Sequence, residues 1–233
     1  MKLSIIVPVF NEEKTILQIL ERLKKADIPV EHEVIVVDDG STDSTREKLK
    51  KVKGPKIILH EKNQGKGAAV KTGIKNATGD YIIIQDADLE YNPNQIKDLL
   101  KPILINKTEV VYGTRLDRAP HLKKEEAKHL FIIHYFGNRF LSLVTSLLYG
   151  QWLTDMETCY KLFPKKAISS IRLNARGFEF EPEVTAKLLK QGYKIKEVSI
   201  TANPRGYDEG KKLNTVKDGA IALWSLLKYR FTD

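Results

Sequence analysis

Through residues 1–115, short apolar runs rich in Val and Ile alternate with stretches whose apolar side chains recur every three to four positions. The runs predict strands and the longer-period stretches predict helices. Leu3 to Phe10 is the first strand. It breaks at Pro8 and passes into Asn11-Glu12-Glu13, where Asn11 is placed to cap a helix with acids in its first turn. Ile16, Leu17, Ile19, Leu20 and Leu23 mark the apolar face of that helix. Further strands are predicted over Glu33–Val37, Lys56–His60, the run from Tyr81 that ends in Asp86 and Asp88, and Glu109–Gly113. The helices between them are a short polar one capped by Ser41 or Thr42, one over Ala68–Asn76, and one opened by Asn92-Pro93. This alternation implies βαβ units, a mainly parallel central sheet and right-handed crossovers that put helices on both faces.

After Arg115 the alternation stops. A polar loop over 117–124 precedes a long helical stretch from about Glu125 to Tyr149, in which Leu130, Phe131, Phe136, Phe140, Leu141, Val144 and Leu148 cover more than one narrow face. Two readings fit it: a buried core helix, or helices lying in a membrane interface with the basic flanks Lys123, Lys124, Lys128 and Arg139. Thr154 to Lys161 is a polar turn entering a short strand, Pro164 opens a small helix, and Glu179 leads another that Gly192 ends. Tyr193 to Thr201 is the last strand. The loop from Asn203 to Lys212 carries Gly and Pro hinges and three cations, and Thr215 caps a final helix ending in Lys228-Tyr229-Arg230-Phe231. No linker divides the chain, so residues 1–233 are expected to form one domain, with a change of pattern between residues 115 and 116.

Composition narrows the function. The single cysteine, Cys159, allows no internal disulfide and is expected as a small buried hydrophobe. No apolar run reaches the ~18 residues of a membrane span, and the start of the chain lacks a signal-peptide layout. The net charge of +9 is uneven: residues 1–120 hold 20 Lys+Arg and 18 Asp+Glu, leaving +7 for the remainder. A basic second half suits an anionic partner, of which phosphates and an acidic membrane surface are two. Nucleic acid is not expected, because neither an aromatic-stacking sheet motif nor a zinc signature is present. A dinucleotide-binding fold needs glycines in the first strand–helix turn, which here is Pro8-Val9-Phe10-Asn11-Glu12.

Asp86-Ala87-Asp88-Leu89-Glu90 ends a buried strand in carboxylates two apart. Ligands in open α/β sheets sit beyond the carboxyl ends of strands. If the chain stays extended there, Asp86 and Asp88 point to one side, and a hard divalent cation removes their repulsion.

Four pieces then stand in order: Val7-Pro8-Val9-Phe10-Asn11-Glu12, Val37-Asp38-Asp39-Gly40-Ser41, Asn63-Gln64-Gly65-Lys66-Gly67 and Asp86-Ala87-Asp88-Leu89-Glu90. Together they resemble the GT-A glycosyltransferases of family 2, and within it the polyprenyl-phosphate (dolichol-phosphate) mannosyl- and glucosyltransferases. Tyr112-Gly113-Thr114-Arg115, Asp155 to Lys161 and the Arg205 to Lys212 loop extend the likeness more loosely. The resemblance implies a GT-A fold and a nucleotide-sugar donor, GDP- or UDP-linked, with residues 1–115 as the nucleotide-sugar-binding half and residues 116–233 as the acceptor-binding half. Pro8, Phe10, Glu12 and Asp39 would hold its base and ribose, with Lys66 approaching the nucleotide. Asp86 and Asp88 would bind Mg²⁺ or Mn²⁺ bridging the diphosphate. Glu90 stands where that subgroup often carries Gln as a further ligand.

The implied reaction is inverting displacement at the anomeric carbon with a nucleoside diphosphate leaving. Charge growing on the diphosphate calls for cations, and Arg115, Arg205, Lys211 and Lys212 are available, the two arginines favoured for their bidentate fork. The expected acceptor is a polyprenyl or dolichyl phosphate, reached peripherally at the cytoplasmic face or with a separate membrane subunit. The alternative is a saccharide hydroxyl in a cell-surface polysaccharide. A hydroxyl needs a base, for which Asp155, Glu181 and Glu183 are candidates, the last two fitting ion-pair duty better. A nucleotidyltransferase is a more distant rival that would release pyrophosphate.

Overall fold

A computed structural model describes residues 1–116, 129–169, 171–203, 205 and 215–232. In chain order the elements are β1 (Lys2–Val9), α1 (Ile16–Lys25), β2 (Glu31–Asp38), α2 (Thr45–Leu49), β3 (Lys56–Leu59), α3 (Lys66–Asn76), β4 (Tyr81–Ile84), α4 (Ile96–Leu104), β5 (Val110–Thr114), α5 (His129–Tyr149), β6 (Lys161–Pro164), α6 (Lys165–Ser169), α7 (Phe180–Lys190), β7 (Ile195–Ser199) and α8 (Thr215–Phe231). The strands form one sheet of seven in the order β3-β2-β1-β4-β6-β5-β7. The pairs among β1 to β4 are parallel, as is β5 with β7. β6 runs antiparallel to both β4 and β5 and stitches the second half of the chain between two strands of the first.

Successive residues of a strand point to opposite faces, and Leu3 through Val7 are all buried, so both faces of β1 are covered. Pro8 is tolerated in this central strand because the pairing with β4 ends at Ile6 and Ile84. One core contains Ile5, Ile83, Val110, Phe163 and Phe180 and so draws on both halves. A smaller cluster of Leu141, Met156, Ala222 and Leu226 joins α5 to α8.

Two local expectations are corrected. Asn11 does not cap α1, whose N-cap is Thr15. Asn11 adopts a left-handed φ of 50°; its N–H donates to Ser41 Oγ and its Oδ1 accepts from Thr42 N. A side chain that tolerates αL ties two strand exits together instead. The long helix also divides between its two readings. Leu141 is buried, whereas Phe136, Phe140, Leu143 and Leu147 are exposed along one stripe. Its predicted start and Lys123, Lys124 and Lys128 lie outside the described residues. Among the described residues, no helix is long and apolar enough to cross a membrane.

Candidate active site

β4 ends at Ile84, two residues before the first carboxylate, and the chain then turns. Leu89 takes a left-handed φ of 68° and Asp88 Oδ1 accepts from Glu90 N at 3.0 Å. Asp86 and Asp88 are therefore gathered by an Asx-type turn, not by extended alternation. Gln85 anchors its start: its N–H continues the ladder to Ile6 O, and its Oε1 accepts from Tyr160 O–H at 2.6 Å.

Lys66, the first residue of α3, crosses to this turn. Its Nζ lies 2.9 Å from Asp86 Oδ1, 3.0 Å from Oδ2 and 3.4 Å from Glu181 Oε1. Burial is the largest influence and opposes the ammonium charge, but Asp86, Cys159 and Glu181 together outweigh it, and the Lys66 pKa lies well above the ordinary lysine value. Asp86 shows the reciprocal effect: burial alone would raise it, and Lys66 holds it below the usual carboxylate range.

The glycine-rich turn serves close packing. Gly67 N–H donates to Gly177 O and Ala68 N–H to Arg176 O, so these amides at the start of α3 are occupied by backbone carbonyls. A Cβ on Gly65 would stand 2.3 Å from Arg176 O, and its φ is 97°. Asp39 fixes the same turn, accepting from Gln64 N and from Gly65 N at 2.7 Å, with His60 Nδ1 at 2.7 Å. His60 Nε2 meets Thr72 Oγ1 of α3.

On the other side of the carboxylate turn, Arg205 places a fork on Glu12, Nη1 to Oε2 at 3.1 Å and Nη2 to Oε1 at 2.9 Å, and Nη2 lies 3.4 Å from Asp88 Oδ2. Glu90 Oε1 accepts from Arg205 N at 3.0 Å. Asp88, facing Asp86 and Glu90 in a buried setting, has its pKa raised from the ordinary 3.8 to about 7, by burial first and then by those two charges.

A second network lies against this one. Arg115 makes a bidentate pair with fully buried Asp155 at 2.7 and 2.8 Å, and its backbone N–H donates to the same carboxylate. Lys161, also fully buried, donates to Met156 O and Thr158 O and pairs with Glu181 Oε2 at 2.8 Å. Glu183 accepts from Asn174 N and Ala175 N and pairs with Lys187. Glu157 Oε1 is sealed from solvent without a hydrogen-bond partner. Burial, which Lys161 only partly offsets, lifts its pKa from 4.5 to about 7. Glu157 borders a small cavity between α5 and α8 lined also by His134, Asn138, Phe178 and Asp218.

The two carboxylates fit a hard divalent cation. Asp88 is raised by burial first and by the neighbouring Asp86 and Glu90 charges next, and Mg²⁺-like ions use one or two carboxylates and complete their shell with water and phosphate. Among the described residues no group of three His, Cys, Asp or Glu side chains is gathered to hold a metal ion, and Glu90, expected as a third ligand, has its Oε1 on Arg205 N. A larger cleft of about 790 Å³ runs past Met1, Tyr81, Glu109 and Lys194, at the amino-terminal ends of β1, β4, β5 and β7. That is the opposite edge from the one at which open α/β sheets bind ligands.

A family model for glycosyl transferase family 2 matches residues 4–172. The chain belongs to that family. This family 2 glycosyltransferase is 29% identical over 233 residues to the UDP-N-acetylglucosamine--dolichyl-phosphate N-acetylglucosaminyltransferase of Methanococcus voltae, covering 91% of this chain and 90% of the relative. It is 28% identical to the dolichol-phosphate mannosyltransferase of Pyrococcus furiosus, over 98% of this chain and 64% of the relative. Among solved structures it superposes on glucosyl-3-phosphoglycerate synthase from Mycobacterium tuberculosis, crystallised with Mn²⁺ and UDP-glucose, with a TM-score of 0.76, 19% identity and coverage of 98% and 78%. That likeness carries the GT-A fold.

Of the residues singled out in the sequence, the glycosyltransferase brings Glu12, Lys66, Asp86, Asp88, Glu90 and Arg205 into one network. Pro8 and Phe10 line the exit of β1 beside it. Arg115 and Asp155 are brought together but face each other, so Asp155 is an anchor for Arg115 and not a waiting base. Glu181 and Glu183 are in ion pairs. Lys211 and Lys212 lie outside the described residues. Sequence reasoning missed His60 and Glu157. The only signal for Glu157 was its place in the Asp155 to Lys161 turn, because an orphan oxygen has no sequence mark.

Proposed function

We propose that this family 2 glycosyltransferase moves a hexose, mannose or glucose, from a GDP- or UDP-linked donor to a polyprenyl or dolichyl phosphate, inverting the anomeric centre with Mg²⁺ or Mn²⁺ at Asp86 and Asp88. The observation that carries this reading is the carboxylate pair at the end of β4, faced by Lys66 from one side and Arg205 from the other. When bound, the cation neutralises charge on the departing diphosphate. Arg205 is held within reach of that diphosphate by Glu12 and, through its backbone, by Glu90. Its Nε is buried and makes no hydrogen bond, so the fork on Glu12 leaves one guanidinium donor unused. Phe10 and Glu12 border the donor's base and ribose. Asp39 acts there chiefly by holding Gln64 and Gly65. Arg115 is pinned by Asp155, whose carboxylate offsets its charge, and borders the site as a fixed guanidinium.

The names of the archaeal relatives support a lipid phosphate acceptor, which arrives already ionised and needs positioning more than a base. The exposed stripe on α5 and exposed Trp224 and Phe231 on α8, in the basic half of the chain, support peripheral approach to an anionic cytoplasmic membrane face. One observation favours the second reading, a saccharide hydroxyl: Glu157 borders the cavity between α5 and α8, and burial lifts its carboxyl to about 7, a value suited to a general base.

The deciding experiment screens GDP- and UDP-sugars by thermal shift with and without Mn²⁺, then offers the stabilising donor, labelled in its sugar, to polyprenyl phosphate and to soluble oligosaccharides. Label in the lipid that chelator abolishes is the expected result. Label in the oligosaccharide alone moves the function to the second reading.

A further inference from the structure

We infer that Lys66 occupies Asp86 in the metal-free protein as a stand-in cation, and that Glu181 is the positioning residue that receives it when a divalent cation arrives. This rests on the metal reading above. Both oxygens of Asp86 lie within 3.0 Å of Lys66 Nζ, so the ammonium sits across the chelating edge of the carboxylate. A metal ion cannot chelate Asp86 along that edge while the ammonium spans both oxygens, so chelation there requires the ammonium to leave.

The backbone of Lys66 cannot retreat. Its neighbours Gly65 and Gly67 are held by Asp39 Oδ2 and Gly177 O, and Ala68 N–H by Arg176 O. Only the side chain can swing, and Phe178 bounds that swing with its ring centroid 6.0 Å from Nζ. A buried ammonium without a partner is costly, so the swing needs an acceptor within reach. Glu181 Oε1 is that acceptor. It is 3.4 Å from Nζ, too long for a good charge-assisted bond, and it has no hydrogen bond of its own. Lys161 steadies the other oxygen from 2.8 Å. Closing the Nζ–Oε1 separation from 3.4 Å to about 2.8 Å makes the new charge-assisted bond, and clearing the Asp86 edge takes a further rotation of the Lys66 side chain about its own torsions.

Arg205 presents the matching arrangement on Asp88, but its fork is already on Glu12 and it need not be rehoused. The handover is therefore specific to Asp86. It leaves the site with a paired first carboxylate when no metal is present, and it makes Glu181 matter to metal binding without touching the metal.

The test is a Mn²⁺ titration followed by electron paramagnetic resonance on the full chain, with Mn²⁺ alone as the probe. Lys66→Met should tighten Mn²⁺ binding by about tenfold or more, since no ion pair is then displaced. Glu181→Gln should weaken binding about fivefold or more in the Lys66 protein and by no more than about twofold in the Lys66→Met background, because its effect runs through Lys66. Equal effects of Glu181→Gln in the two backgrounds, or no gain from Lys66→Met, overturn the handover while Mn²⁺ binding by the wild type leaves the metal reading intact. Absence of Mn²⁺ binding in every variant, with or without UDP or GDP, removes the metal reading and the handover with it. If Glu181→Gln strands Lys161 and does not fold, a crystal of the wild type soaked in Mn²⁺ decides. Nζ on Glu181 supports the inference, and Nζ still on Asp86 overturns it.

Discussion

Asp88 should make the metal-free protein less stable as pH rises, opposite to the behaviour of an ordinary salt-bridged carboxylate. Its side chain is 18% exposed, and burial first, then the charges of Asp86 and Glu90, lift its pKa from 3.8 to about 7. The folded state thus binds this proton more tightly than the unfolded chain. The stabilisation is complete below the unfolded pKa and is lost as pH climbs through the folded one. The rise from 3.8 to about 7 corresponds to about 4 kcal/mol in all, and about 2–3 kcal/mol of it falls between roughly pH 5 and pH 8. Glu157 and Glu197 are raised by burial and slope the same way, so the comparison is with Asp88→Asn, which retains both. Urea unfolding in chelator across that range should show the wild type losing about 2–3 kcal/mol more than Asp88→Asn. Adding Mn²⁺ should stabilise the wild type most at the alkaline end, where the carboxylate is ionised, and leave Asp88→Asn unmoved. Parallel pH profiles for the two proteins would refute the argument, since the repulsion at the carboxylate turn would then have no energetic consequence.

Arg205→Ala should lower kcat by a factor on the order of 10²–10³, with Arg205→Lys restoring only part of it, because an ammonium cannot fork across Glu12 and a phosphate oxygen; steady-state kinetics with the identified donor checks this. Gly65→Ala should destabilise the protein by about 1–3 kcal/mol or prevent folding, as its Cβ would meet Arg176 O at 2.3 Å in a left-handed backbone; thermal unfolding reads it. Asp155→Asn should cost about 3–5 kcal/mol by breaking a buried fork to Arg115, measured by urea denaturation. Phe136→Glu with Phe140→Glu should leave the protein folded and reduce co-sedimentation with anionic vesicles, an attraction that added salt weakens. Leu141→Glu should instead unfold it, because Leu141 is 6% exposed.

The succession of strands and helices along the chain, the carboxyl ends on which chemistry gathers and the family were legible in the sequence, because strand burial and turn chemistry are local. Val-rich runs such as Ile35 to Val37 are buried on both faces only inside a sheet, and their spacing announces it. The sequence also placed Asp86 and Asp88 at a strand end, although a left-handed Leu89 brings them together. What each charge faces was decided by tertiary structure. Arg205 meets Glu12 across 193 positions and Arg115 meets Asp155 across 40. Lys66 finds Asp86 and Glu181 from different elements, and residues 175–177 close over the glycine-rich turn. The insertion of antiparallel β6 between β4 and β5 belongs to the same class. A charge in sequence carries no mark of its partner, since Coulomb attraction acts through space and only the packed chain sets the distances. Apolar periodicity announces burial in advance because the core imposes it on every strand and helix it contains.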